Sequence, residues 1–176
     1  MADSNITKRA LAASLKELME ETPFAKISVR DICEKCEMNR KSFYYHFKDK
    51  YDLVNWIYQT EFITVAKEKE YSGMWMFISD ICTYLFQNRA FYKKALQIEG
   101  QNSFFDYFKE VLLLFLTEYI GEALPGDRQT PFYANFFADA FTAAIRRWMQ
   151  EKEPVEPAEF ISLLQACLRL GNVTGH

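Results

Sequence analysis

The sequence predicts an all-α protein. Apolar residues recur at helical spacing (i, i+3, i+4, i+7) in nearly every segment, and no stretch gives a convincing two-residue alternation. Only six glycines and five prolines punctuate 176 residues, too few for a turn-rich β fold. At 49% hydrophobic and 16% aromatic the chain can bury a sizeable core, which excludes wholesale disorder. The longest apolar run, Val111 to Leu116, is far shorter than the roughly 20 residues a membrane-spanning helix needs. The polar N-terminus, Met1 to Ala10, lacks the apolar core of a signal peptide, so no membrane partner and a cytoplasmic location are expected.

Each element has its own warrant. The first helix runs from about Ser4 or Asn5 to Glu21, with Leu11, Leu15 and Leu18 on one face, and Pro23 ends it. A second begins at Ser28, whose hydroxyl can accept from a first-turn amide while Asp31 completes a capping box. Its apolar positions are Val29, Ile32, Cys33 and Cys36. After a break at Glu37 and Met38, Asn39 caps a third short helix from Arg40 to Phe47, and two short helices so tightly joined suggest a helix-turn-helix. Asp49 and Asp52 open a fourth helix reaching to about Glu70. Further helices are expected from about Ser72 to Gln87, after Asn88, and from Ser103 to Glu122. Leu124-Pro125-Gly126-Asp127 is a loop. Thr130-Pro131 and Glu156-Pro157, each read as N-cap and first helical residue, open two last helices ending near Lys152 and Leu170.

The helix after Thr130 is apolar on two sides, with Phe137, Phe141, Ala144, Ile145 and Trp148 on one stripe and Phe132, Phe136, Ala140 and Ala143 on another. The last helix adds Leu163, Leu164 and Leu168. A helix apolar on two sides must bury both, and a second copy of the chain would cover the extra one. A homodimer is therefore expected, with Phe137, Phe141, Ile145, Trp148, Leu164 and Leu168 at its interface.

Net charge is only −3, but Met38 to Lys50 carries Arg40, Lys41, Lys48 and Lys50 against Asp49, a local balance of +3 with His46 in addition. From Glu61 onward the balance is −4. A recognition helix offers its N-terminal residues to base edges in the major groove, where Arg40 and Lys41 can donate to guanine O6 and N7 and Ser42 is a smaller candidate. Asn39 lies at the same end. Tyr44 and Tyr45 can supply hydroxyls to phosphates and flat faces to thymine methyls. His46, Lys48 and Lys50 suit phosphates on the flanking strand, and Ser28 can join them. Phe43 and Phe47, spaced i and i+4, belong to the core. On residue type alone a basic stretch is more often a solvated face, so the surrounding pattern carries the reading.

That pattern, Ser28-Val29-Arg30-Asp31-Ile32, then Phe43-Tyr44-Tyr45-His46-Phe47, then Lys48-Asp49-Lys50, resembles the DNA-binding domain of the TetR family of bacterial transcriptional regulators. The likeness covers about the first 55 residues, while the rest matches in helix rhythm. Asn39 to Phe47 followed by Lys50 to Tyr58 is similar to the DhaS-like subgroup of that family, the dihydroxyacetone kinase regulators. The resemblance implies a three-helix DNA-binding domain, here residues 1–52, and a helical effector and dimerisation domain, 53–176. It also implies double-stranded DNA as partner, and control by a small-molecule effector or a protein coactivator. Among the aromatics of the second domain, Trp75, Tyr84, Phe105 and Phe108 would line a ligand pocket, although helical spacing of aromatics is more often plain core. The family commonly has a glycine where the two short helices meet, whereas Glu37 occupies that region here, at a conformational cost.

Cys33-x-x-Cys36 has metal or redox spacing, but no second cysteine pair lies nearby and both residues fall on an apolar stripe, so packing is expected. No metal and no cofactor are anticipated. Neither a Gly-rich phosphate loop nor a Ser/His/Asp grouping occurs, which argues against an enzyme. The competing reading is a helical module of the same fold that binds an effector or partner protein without touching DNA.

Overall fold

The computed structural model describes residues 2–100 and 102–173. Among these the regular structure is helical and no strand occurs. The helices are α1 (Ala2–Glu21), α2 (Val29–Lys35), α3 (Arg40–His46), α4 (Lys50–Tyr58), α5 (Met74–Gln87), α6 (Arg89–Ala95), α7 (Phe104–Ala123), α8 (Thr130–Gln150) and α9 (Pro157–Val173). A 3-10 turn, Phe24–Lys26, separates α1 from α2.

The chain forms two compact units, residues 1–68 with 90–108, and residues 69–89 with 109–176. Compactness therefore groups the chain differently from a division at residue 52. Leu53, Val54, Ile57 and Tyr58 of α4 are buried and fall in the first unit. In that unit α1 packs against α2, α3 and α4 through Leu11, Leu15 and Met19. The Tyr58 ring lies among Phe62, Tyr92, Phe104 and Phe108 at centroid distances of 5.3–5.9 Å. Edge and offset aromatic contacts of this kind add to the burial of large rings. The carbonyls at the end of α1 have no basic residue on their own last turn. Lys94 of α6 supplies one, its ammonium donating to the Met19 and Glu20 carbonyls.

The fourth helix does not run as a plain α-helix to Glu70. After Tyr58 it widens over Gln59–Ile63, where the Thr64 N–H reaches back five residues to the Gln59 carbonyl. The Thr64 hydroxyl donates to the same oxygen at 2.8 Å, and the helix ends with Thr64–Ala66. Such a turn holds one residue more than the α-helical ladder. Lys16 of α1 fastens it from outside through both oxygens of Glu61, at 2.6 Å each. The Tyr107 hydroxyl donates to Gln59 Oε1.

In the second unit α5 packs on α9. The buried Trp148 stacks between Phe160, at 4.4 Å, and Phe86, at 5.6 Å, while its Nε1–H donates to the Val155 carbonyl at 2.9 Å. The position of Thr130 differs from expectation. It is the first residue of α8, whose N-cap is Gln129; in the turn before it Asp127 Oδ1 accepts from the Gln129 N–H at 2.7 Å and the Asp127 carbonyl accepts from the Thr130 hydroxyl.

The two stripes of α8 differ in burial within one chain. Phe141, Ile145 and Trp148 are buried within a single chain, and Phe137 is half-buried with its ring stacked on Phe141. Within one chain Trp75 meets Phe141, and Phe86 and Phe160 meet Trp148, so these two side chains already pack in the core of their own subunit. The other stripe faces solvent, with Phe132 at 66% and Phe136 at 57% exposure and Ala140 and Ala143 exposed beside them. On α9, Leu163 and Leu168 are exposed and Leu164 is half-buried.

Candidate nucleic-acid interface

The residues of the basic stretch are set out by two short, tightly capped helices. Ser28 caps α2 reciprocally. Its Oγ accepts from the Asp31 N–H at 3.2 Å, while the Ser28 N–H and hydroxyl each donate to Asp31 Oδ2 at 2.7 Å. The backbone donor first, then the hydroxyl, holds the Asp31 carboxyl below its usual pKa. This cap is therefore complete at neutral pH and is lost only as acid titrates the carboxyl through that lowered value. The Ser28 hydroxyl is spent on the cap.

Between α2 and α3 the chain turns through Glu37 at φ +55°, the left-handed region. The Met38 N–H reaches the Cys33 carbonyl at 2.9 Å and the Glu37 N–H the Glu34 carbonyl at 3.3 Å, the two bonds of a Schellman closure. Glycine enters this conformation without a Cβ penalty, whereas a glutamate pays for it. Glu37→Gly is expected to raise the unfolding free energy by about 1 kcal/mol. A thermal melt that moves down instead would show that the Glu37 side chain repays its strain.

Asn39 caps α3, its Oδ1 accepting from the Ser42 N–H at 2.9 Å and from the Ser42 hydroxyl at 3.3 Å. Phe43 and Phe47 are buried, with Phe47 edge-on to Trp56 at 5.6 Å, and this anchor fixes the rotation of α3. The opposite side then presents Arg40, Lys41, Tyr44 and Tyr45, all exposed, the tyrosines at 59% and 83%. The Tyr44 ring touches Phe43 edge-on at 5.5 Å, yet both tyrosines leave most of their surface to water. Lys48 follows, also exposed, and His46 is half-buried with its ring edge-on to Tyr45 at 4.8 Å. Among the described residues no carboxylate pairs with Arg40, Lys41 or Lys48, whereas Lys16, Arg30, Lys35, Lys69 and Lys109 each hold one. Unneutralised cations beside flat donors on one helix face are what phosphate and base-edge contacts require.

Lys50 does not join them. Its ammonium donates to the carbonyls of Phe24 at 2.7 Å and Ile27 at 2.6 Å, points at that of Ala25, and lies over the Phe24 ring. Burial pulls its pKa down, the Asp31 carboxylate opposing. An ammonium has three donors, and the carbonyls of the 3-10 turn take them, leaving none for a phosphate. Arg40→Ala and Lys41→Ala should each cost about 1–3 kcal/mol in DNA affinity and relax base preference, and Lys48→Ala should make the salt slope shallower by about one unit. Lys50→Ala should instead lower the melting temperature and leave that slope unchanged. Titrations at several salt concentrations, paired with thermal melts, separate the two classes of effect.

The four aromatics expected to line a pocket do not fall in one compact unit, since Phe105 and Phe108 lie in the first and Trp75 and Tyr84 in the second. Phe108 is fully buried against Tyr58 and Phe104, so it fills core, and the other three are half-buried.

This helix-turn-helix lies inside a match to a family profile described as bacterial regulatory proteins of the tetR family, over residues 10–57. A second profile, described as a transcriptional regulator C-terminal region, matches residues 75–169, more than half of the chain. The protein is a TetR-family transcriptional regulator. It is a DNA-binding protein and not an enzyme. A relative in Lactococcus lactis, the HTH-type dhaKLM operon transcriptional activator DhaS, is 25% identical over 97% of this chain and 95% of its own. Solved structures agree in fold. That of the dihydroxyacetone kinase operon activator DhaS superposes with a TM-score of 0.68 at 24% identity, over 94% of this chain and 97% of that one. A TetR regulator from Streptococcus agalactiae gives 0.71 at 18% identity, over 92% and 93%. NalD, the secondary repressor of the MexAB-OprM multidrug efflux pump in Pseudomonas aeruginosa, gives 0.64 at 18%, over 95% and 96%. No helix among the described residues of this TetR-family regulator is long and apolar enough to cross a membrane.

Proposed function

We propose that this regulator works as a cytoplasmic homodimer on a pseudo-palindromic operator. In this reading residues 1–52 meet DNA, residues 53–176 dimerise and receive the signal, and α3 lies in the major groove. Arg40, Lys41 and Ser42 read base edges, and Tyr44, Tyr45, His46 and Lys48 hold the flanking backbone, with Asn39 fixing the helix start. The observation that carries it is the solvent face of α3, where unpaired cations and open tyrosines sit opposite a buried Phe43–Phe47 anchor. Dimerisation is supported by the exposed stripe Phe132, Phe136, Ala140 and Ala143 of α8, together with Leu163, Leu164 and Leu168 of α9. An effector, either a small molecule or a coactivator protein, would shift the population between two separations of the paired α3 helices, of which one fits successive major grooves.

Selection from a random duplex library at two salt concentrations tests this. The expected product is an inverted repeat whose half-sites lie about 34–36 Å apart or a multiple of that. Enrichment of isolated half-sites would overturn the dimeric reading. Loss of all enrichment in an Arg40→Ala, Lys41→Ala double variant is the matching control for α3.

A further inference from the structure

We propose that Cys33 and Cys36 are a thiol-oxidation site, forming a reversible disulfide between the last turn of α2 and its C-cap when a peroxide reaches the protein. The two residues stand three apart at the C-terminal end of α2, where helical geometry puts their Cα atoms about 5 Å apart. That lies inside the range of roughly 4.4–6.8 Å seen for disulfides. Cys33 is buried, but Cys36 is only half-buried and has already left helical geometry, at φ −106° and ψ 17°. Its Sγ is turned back along the helix, 3.3 Å from the Ile32 carbonyl and 3.6 Å from the Cys33 carbonyl. Burial holds the Cys33 thiol above its usual pKa, with Cys36 adding to that and Arg40 opposing, so the two sulfurs feel each other and the first residue of α3. Cys82, by contrast, is enclosed and its thiol is pushed up to about 12, while Cys167 stands exposed on α9 without a neighbouring thiol in sequence.

The chemistry balances. The Cys36 thiolate attacks one peroxide oxygen, the O–O bond breaks, and hydroxide leaves and becomes water, giving a sulfenic acid at Cys36. The Cys33 sulfur then attacks the Cys36 sulfur, the S–S bond forms, the S–O bond breaks, and a second water departs with the Cys33 proton. Two electrons pass from the thiols to the peroxide, and a dithiol reductant reverses the change. The site lies at the helix-turn-helix corner. The Cys33 carbonyl holds the Met38 N–H and the next residue after Cys36 is the left-handed Glu37, so drawing Cys36 onto Cys33 disturbs the closure that aims α3. The effect on DNA rests on the role proposed for α3, whereas the bond itself does not.

The test treats full-length Cys167→Ser protein with hydrogen peroxide, maps the cysteines by peptide mass spectrometry, and measures affinity for the selected duplex before and after. The expected result is a Cys33–Cys36 peptide lighter by two hydrogens and an affinity lower by about tenfold or more, both restored by dithiothreitol. Cys36→Ala and Cys33→Ala should fold, bind as the reduced parent does, and ignore peroxide. Thiols at 33 and 36 that survive peroxide, or a bridge to Cys82 instead, would overturn the site. A bridged protein that binds DNA as well as the reduced one would overturn its control of α3. If the reduced protein selects no duplex, the reading of α3 fails, and the mass map alone decides the site.

Discussion

Trp148→Ala is expected to cost about 3–5 kcal/mol of unfolding free energy, the largest effect of any substitution considered. Domains of this size are stable by only about 5–15 kcal/mol, so the variant should be at the edge of folding at ordinary temperature. The cost has three sources: the lost burial of the indole, the cavity between Phe86 and Phe160, and the Val155 carbonyl left without its donor. Trp148→Phe keeps most of the stack and loses the donor, and should cost only about 1–2 kcal/mol. Urea denaturation at two protein concentrations checks both. A residue at a subunit interface would show a loss that grows on dilution, whereas a core residue shows a large loss that does not. A shift below about 1 kcal/mol in Trp148→Ala would contradict the burial described for it.

Phe136→Glu should have the opposite profile. Its ring is exposed on the free chain, so subunit stability should move by no more than about 0.5 kcal/mol. In the proposed dimer it would place two carboxylates in an apolar contact, and the protein should run as a monomer in size-exclusion chromatography with light scattering. Operator affinity should then fall by about 10²–10⁴, because linking two binding modules multiplies their separate affinities by an effective concentration. A monomeric parent protein, or a variant that stays dimeric, would remove Phe132 and Phe136 from the interface.

These two substitutions also mark where sequence reasoning held and where it stopped. The helical period and the caps at Ser28, Asn39, Asp49 and Ser103 place helices closely, because a cap depends on residues three positions apart. The strained Glu37 was foreseeable from the family resemblance, which places a glycine in that region. Facing is another matter. Both stripes of α8 are apolar, and which turns inward depends on Trp75, Phe86 and Phe160, residues distant in sequence that no local pattern weighs. Lys50 fails for a similar reason: its partners lie 23–26 residues away, and a lysine bonded to carbonyls looks in sequence like one awaiting a phosphate. Arg40, Lys41, Tyr44 and Tyr45 were legible as an outward face because Phe43 within the same short helix and Phe47 just after it fix its rotation locally.

The widened turn at Gln59–Ile63 has a consequence for how this chain aligns with its kin. It holds one residue more than the α-helical ladder would, and α-helical geometry resumes at Thr64–Ala66. A homologue with a plain α-helix across this point would be one residue shorter there. Alignments with such homologues are therefore expected to open a single-residue gap between positions 59 and 63.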